Sequence, residues 1–178
     1  RERDVLPIPA PQAAVSPDGR LVAYVFERSP EVPFRKRQIS DGTSDIWIFD
    51  RTTGEHRQLT RHRGREKSPA FSPDGASLAS GSADETVRVW QVSNGRQLRL
   101  MTVPGYDVEC VAFSPDGALL AAGSDDGLVR LWNPSNGELL RTLEGHTNIV
   151  MSAAFAPDGA RLATGAYDET VRLWGISP

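Results

Sequence analysis

The chain has 178 residues, of which 39% are hydrophobic and 24% are charged, and its net charge at pH 7 is −3. This balance argues against the strongly basic class of nucleic-acid-binding domains, and no apolar run approaches the ~20 residues that crossing a bilayer requires. A single cysteine, Cys110, excludes an internal disulfide framework. We therefore predict a protein without a membrane segment, in the cytoplasm. The missing signal peptide and initiator methionine favour a processed or excised segment.

The chain opens on a proline-rich stretch, residues 1–11, with the sequence RERDVLPIPAP. Proline within a strand confines that strand to a sheet edge or to a strand end. Residues 4–8 are therefore a candidate for a short edge strand, with a frayed terminus as the alternative.

An irregular unit follows over residues 12–60. It starts with a Ser-Pro-Asp-Gly turn at residues 16–19, continues with the apolar strand 21–26, and reaches a third strand around Trp47 only after the insertion 27–44. Three regular copies succeed it, in which the stretch from Phe to Trp occupies residues 71–90, 113–132 and 155–174. The three copies start 42 residues apart. Self-similarity at a fixed period is typical of repeat architectures.

Each copy is predicted to hold four short antiparallel strands. A Pro-Asp-Gly turn separates the first two strands, because Pro fixes φ and Gly accepts positive φ. An Asn-Gly pair, at 94–95 and at 136–137, is a strong hairpin signal between the third and fourth strands. Four antiparallel strands per repeat of roughly 40–45 residues are typical of a propeller blade.

On these residues the chain resembles the WD-repeat (WD40) family of β-propellers, and the resemblance covers nearly its whole length. It implies an all-β fold of four-stranded antiparallel blades, with four blades in this chain. We expect one unit over 1–178: residues 1–11 as a possible closing strand, blade one with its insertion over 12–60, blade two over 61–102, blade three over 103–144, and blade four over 145–178 without its outer strand. Blade one also resembles the repeats of TolB-like and prolyl-oligopeptidase-type propellers.

The resemblance further implies a structural tetrad, in which His, Ser or Thr, Asp and Trp are linked by hydrogen bonds inside a blade. The matching residues are His62, Ser80, Asp84 and Trp90 in blade two, His146, Thr164, Asp168 and Trp174 in blade four, and Asp126 and Trp132 alone in blade three. The alternative, a catalytic Ser-His-Asp triad, is disfavoured because the family order places the hydroxyl inside the blade. We predict no enzyme activity, no cofactor and no metal site.

The loops that join strand two to strand three and one blade to the next share one side of such a fold, which we call the top face. Cations in two of these loops form a candidate basic patch for an acidic peptide, a phosphate or nucleic acid, with two solvated loops as the alternative. Its residues are Arg35, Lys36, Arg37, Arg63, Arg65 and Lys67. Further candidates for partner contacts are Tyr106, Asp107, Glu109, Asp125, Asn148 and Tyr167, among which exposed aromatic residues are frequent interface anchors.

Four blades leave open how a ring closes. The alternatives are half of an eight-blade ring formed by a homodimer, part of a longer propeller, and a self-closed ring of four. For function, we expect a non-catalytic scaffold that binds a protein or peptide partner through the top face. The alternative is a regulatory or substrate-gating propeller segment of a larger enzyme, such as a peptidase, a kinase or a signalling ATPase.

Overall fold

A computed structural model describes residues 12–27, 44–61 and 64–176. The predicted strand at 4–8 and the candidate residues Arg35, Lys36, Arg37, His62 and Arg63 lie outside these ranges. Throughout the described residues the regular structure is antiparallel β-sheet, as the repeat pattern predicts. Among them no helix has the length and hydropathy that spanning a bilayer requires.

The strands form four consecutive sheets, which are the four blades. Blade one contains β1 (Ala13–Val15), β2 (Leu21–Glu27), β3 (Ser44–Asp50) and β4 (Glu55–Gln58). Blade two contains β5 (Glu66–Phe71), β6 (Ser77–Ser82), β7 (Thr86–Gln91) and β8 (Gln97–Thr102). Blade three contains β9 (Val108–Phe113), β10 (Leu120–Ser124), β11 (Val129–Asn133) and β12 (Glu138–Leu143). Blade four contains β13 (Val150–Phe155), β14 (Arg161–Ala166) and β15 (Val171–Gly175) and is three-stranded within the described residues.

The Pro-Asp-Gly turns are stabilised by side chains as well as by backbone geometry. In blade two the Ser72 hydroxyl donates to Asp74 at 2.5 Å and accepts the Ser77 amide at 2.9 Å. Gly75 takes a φ of +70°, which a residue with a Cβ rarely adopts. These contacts direct β6 back along β5, so that the small apolar residues of β6 enter the interior.

Consecutive blades meet through flanks of two kinds. The forward flank of a blade faces the next blade; in blade three it includes Val129 and Leu131 of β11. The back flank faces the preceding blade; in blade four it includes Val150 and Leu162, which join the same buried cluster. Equivalent clusters join blade one to blade two and blade two to blade three. The hydrophobic core therefore lies between the blades, and blades two and three contribute to a buried cluster on both of their flanks.

The blades approach one another most closely at their second strands. A Cβ at Gly123 would lie 2.6 Å from Val150 Cγ1 of the next blade, and one at Gly81 would lie 2.8 Å from Val108 Cγ1. Such distances are shorter than van der Waals contact allows, so blades two and three require glycine at these two positions. The innermost strands β1, β5, β9 and β13 contact each other in series, which arranges the blades as an arc.

Blade one corrects one sequence prediction, the position of its repeat tryptophan. Trp90 pairs with Leu78 in blade two, and the residue that pairs with the corresponding Val22 in blade one is Phe49. Trp47 pairs with Tyr24 two residues earlier. The third strand lies around Trp47 as predicted, but aligning it on the tryptophan shifts it by two residues against the other blades, because the insertion removes the fixed spacing.

Candidate functional site

The tetrad of blade four is fully connected. The His146 imidazole lies 2.8 Å from an Asp168 carboxylate oxygen through Nδ1 and 2.9 Å from the Thr164 hydroxyl through Nε2. Trp174 Nε1 donates to the same hydroxyl at 2.8 Å. His146 is 6% exposed and Thr164 is 1% exposed. The four side chains thus connect the loop before β13 to β14 and β15.

The Asp168 carboxylate also anchors the top loop of blade four. It accepts hydrogen bonds from the Thr170 hydroxyl at 2.6 Å and from the Thr147 amide at 3.0 Å. These hydrogen bonds, first that of Thr170, hold the pKa of Asp168 well below its usual range. An ionised carboxylate at this position therefore stabilises the loop at neutral pH.

Blade two has a different arrangement around its aspartate. Trp90 Nε1 donates to Ser80 Oγ at 3.0 Å, as in blade four. Asp84, however, binds the Arg88 guanidinium through two contacts of 2.7 and 3.0 Å. Burial raises the pKa of Asp84, but the hydrogen bonds from Arg88, Thr86 and Ser82 outweigh it and bring the pKa to about 2.

Blade three lacks the hydroxyl and the histidine of the tetrad. Asp126 binds Arg130 at 2.6 Å and accepts the Ser124 hydroxyl at 2.7 Å. Ala122 stands where the other blades have Ser80 and Thr164, and within the described residues the buried Trp132 Nε1 has no hydrogen-bond partner. Pro104 takes the place of the histidine. This blade therefore carries an unsatisfied buried donor, which costs stability.

The tetrad hydroxyls are placed as structural groups and not as nucleophiles. Ser80 is 0% exposed and its oxygen already accepts the indole of Trp90. A nucleophile needs an open approach for substrate and a neighbouring oxyanion site. The remaining reactive group, Cys110, is 4% exposed, and burial raises the pKa of its thiol to about 12. At neutral pH this thiol is protonated and unreactive.

Three of the predicted partner residues come together on the top face of blade three. The carboxylate oxygens of Asp107, Glu109 and Asp125 lie within 4.8 Å of one another. The Asp125 amide donates to the Asp107 carbonyl at 3.1 Å, which fixes the two loops side by side. Burial and then the neighbouring charges of Glu109 and Asp107 raise the pKa of Asp125. We call these three residues the acidic cluster.

Lys67 of blade two completes the acidic cluster and corrects the predicted basic patch. Its ammonium group forms a short ion pair with Glu109 and lies 3.4 Å from Asp107. Lys67 is therefore neutralised by the next blade instead of being presented to a partner. Of the predicted patch, Arg65 is exposed on blade two. The carboxylates have metal-ligand chemistry, but the lysine already supplies a cation to two of them.

The two top-face tyrosines are exposed. Tyr106 is 45% exposed in the loop before β9, and Tyr167 is 61% exposed in the loop between β14 and β15. Tyr167 occupies in blade four the position that Asp125 occupies in blade three, since their amides donate to equivalent carbonyls, those of Ile149 and Asp107. Asn148 donates to the Tyr167 carbonyl at 3.4 Å. The top face thus exposes one phenol ring in blade three, directly before Asp107 in the chain, and one in blade four.

One buried ion pair was missed by sequence reasoning. Glu66 is 1% exposed, and its carboxylate accepts a hydrogen bond from the Arg88 guanidinium at 3.2 Å. The other blades have Val108 and Val150 at this position. The sequence contains a signal for this pair: a glutamate stands where the other repeats have buried valines, and a buried glutamate needs a buried partner. The pair links β5 to β7 on the top side of blade two.

The family model of the WD domain, G-beta repeat, matches the chain at residues 56–91, 97–133 and 137–175, which together are more than half of its length. The first matched stretch begins at residue 56, in the fourth strand of blade one, and the TolB-like character of that blade stays a prediction.

Curated relatives match shorter stretches. The chain is 45% identical over 53 residues to the serine-threonine kinase receptor-associated protein of Dictyostelium discoideum, covering 28% of this chain and 18% of that protein. It is 41% identical over 61 residues to human apoptotic protease-activating factor 1, covering 34% of this chain and 5% of that protein. It is 60% identical over 37 residues to the ribosome biogenesis protein ERB1 of Coccidioides immitis, covering 21% of this chain and 4% of that protein. The matched part is less than a fifth of each relative's length.

Proposed function

Because the chain belongs to the WD40 family, as the matches to its repeat model over more than half of the sequence show, we propose that it is a non-catalytic interaction scaffold that binds a protein partner through the top face. The observation that carries the proposal is the acidic cluster on a top face that also exposes Tyr106 and Tyr167. The names of the relatives, a receptor-associated protein and ribosome biogenesis factors, are compatible with such a role.

The charge of the top face favours a basic partner segment. The acidic cluster holds three carboxylates beside one ammonium group, that of Lys67, which pairs with two of them, so the cluster carries excess negative charge when all three are ionised. Tyr106 and Tyr167 add exposed rings, on which a lysine or arginine side chain binds through cation–π contact. Aromatic anchors near a charged centre are typical of the few residues that dominate binding energy.

The experiment is binding to an array of short synthetic peptides in lysine-rich, glutamate-rich and uncharged versions. We expect the lysine-rich set to bind, with an affinity that falls as salt rises. Asp107→Asn combined with Tyr106→Ala should weaken that binding at least tenfold. Glu138→Gln combined with Leu100→Ala likewise removes one carboxylate and one large exposed side chain, on the outer strands β12 and β8, and is the control. Equal binding by both double variants would contradict the proposal.

The second candidate is a regulatory propeller segment of a larger enzyme. The match to a protein named for protease activation favours it, as does the small share of each relative that the chain covers. The sequence of the complete transcript distinguishes the two. Further WD blades alone support the scaffold, and an attached catalytic domain supports the regulatory segment. The cytoplasmic location is proposed with either function.

A further inference from the structure

A cleft of about 560 Å³ opens between blades two and three, on the side opposite the top face. It is lined by the Pro-Asp-Gly turns of both blades, by the turn after β11, and by the apolar side chains of Val89, Leu98 and Phe113. Leu98 and Phe113 pack against the buried cluster between these blades but are only partly buried themselves. The volume lies within the range of ligand-binding clefts. We call this cleft the lower cleft.

Two exposed arginines, Arg96 and Arg99, also line the lower cleft. The guanidinium group of Arg99 donates one hydrogen bond to the Leu98 carbonyl at 2.6 Å and another to the Ser135 carbonyl of blade three. Both acceptors are uncharged, and among the described residues neither arginine forms an ion pair. A guanidinium group has five N–H donors, so both arginines keep donors for an anionic ligand.

Two carboxylates line the lower cleft as well, and each is bound within its own turn. Asp74 accepts the Ser72 hydroxyl at 2.5 Å and the Ala76 amide at 3.0 Å. Asp116 accepts the corresponding hydroxyl and amide of blade three. These hydrogen bonds, first that of the serine hydroxyl, lower the pKa of both carboxyl groups. The two aspartates therefore stabilise the turns and form no contact with the arginines.

The corresponding cleft between blades one and two has a different charge pattern. Arg57 is the counterpart of Arg99 on the fourth strand of blade one, and its guanidinium group likewise donates to a carbonyl of the next blade. In that cleft, however, Asp50 forms an ion pair with Arg20 at 2.6 Å, and Glu55 adds a second carboxylate. The contact to the carbonyl is thus common to both clefts. Two arginines without an ion pair among the described residues distinguish the lower cleft.

We propose that the lower cleft binds a short acidic peptide segment in which a carboxylate side chain lies next to an apolar one. The carboxylate accepts hydrogen bonds from Arg96 and Arg99, which are strong because both partners are charged. The apolar side chain covers Leu98 and Phe113 and removes their exposed surface from water. A ligand with charge alone would leave this apolar lining exposed. The site is separate from the acidic cluster, because it lies on the other face and takes a ligand of opposite charge.

Fluorescence anisotropy of a labelled synthetic peptide of alternating leucine and glutamate, titrated with the chain, tests the proposal. We expect binding, and we expect it to be about tenfold weaker when glutamine replaces the glutamates or alanine replaces the leucines. Arg99→Gln should weaken binding of the first peptide by about the same factor. Arg57→Gln removes a guanidinium group with the same kind of carbonyl contact from the neighbouring cleft. It is the matched control and should bind the peptide as the wild type does.

Arg96→Gln is the second variant, because the Arg96 side chain has no hydrogen bond within the described residues and its loss leaves the fold intact. It should weaken binding about tenfold even if Arg99→Gln loses its cooperative thermal transition. No binding by the wild-type chain, or equal affinity for the glutamate and glutamine peptides, overturns the proposal. Equal weakening by Arg57→Gln and Arg99→Gln overturns it too, because the peptide then does not distinguish the two clefts. An affinity that the change from leucine to alanine leaves unaltered assigns the arginines to anions in general and overturns the peptide ligand.

Discussion

The indole of Trp132 is the residue-scale feature that separates blade three from its neighbours. Its Nε1 is buried without a hydrogen-bond partner among the described residues, whereas Trp90 and Trp174 donate to Ser80 and Thr164. A buried donor left unpaired costs roughly 1–3 kcal/mol. The stability of blade three is therefore limited by one missing hydroxyl.

Ala122→Ser should raise the free energy of unfolding by about 1 kcal/mol, because the new hydroxyl accepts Trp132 Nε1. Chemical denaturation followed by tryptophan fluorescence measures the change. The control is Ala121→Ser, at a neighbouring site that is 0% exposed and joins the apolar cluster with Leu131. Equal destabilisation by both serines would contradict the assigned hydrogen bond.

The ionisation of Asp84 makes the stability of the folded chain depend on pH. Its folded pKa of about 2 is below the ordinary value of 3.8, so its contribution to stability is complete above about pH 4 and is lost as the pH falls toward 2. Asp84→Asn should cost about 1 kcal/mol near neutral pH, a value reduced for its partial exposure. Urea titrations at several pH values should show this difference shrinking toward zero in acid. A difference independent of pH would rule out the ionised Asp84–Arg88 pair as its cause.

At the scale of elements, the regular repeats were predictable and the contacts between them were not. The Pro-Asp-Gly turns and the strands of blades two to four follow from local residues, such as Gly75 with its positive φ. Phe49 was missed as the counterpart of the repeat tryptophan because an insertion precedes it. Lys67 was misassigned to a free patch because its partner, Glu109, lies in the next blade, at a position that only the packing of the blades determines.

The second strands provide the element-scale prediction. Gly123→Ala should destabilise the protein by about 2 kcal/mol, since the new methyl group would lie 2.6 Å from Val150 Cγ1 and 2.7 Å from Cys110 Sγ. Gly165→Ala is the control, and calorimetry measures the thermal unfolding of both variants. Gly165→Ala should cost much less stability than Gly123→Ala, because the exposed Ser152 hydroxyl is able to move. Similar losses for the two variants would show that blades three and four do not approach as described.

At the scale of the whole molecule, the packing of consecutive blades explains the stability of the described arc. Its three apolar clusters lie at the three interfaces between neighbouring blades. The four repeats and their order were predictable from the sequence, because the same turn and strand residues recur in each blade. The acidic cluster lies within blades two and three, so its geometry depends only on how these two blades pack.

Isothermal titration calorimetry of the chain with a lysine-rich and a glutamate-rich synthetic peptide tests the central claim most directly, that the acidic cluster of the top face binds a basic partner segment. The account predicts binding of the lysine-rich peptide, with an affinity that falls as salt rises. Equal affinity for the two peptides, or an affinity for the lysine-rich peptide that Asp107→Asn leaves unchanged, would contradict it.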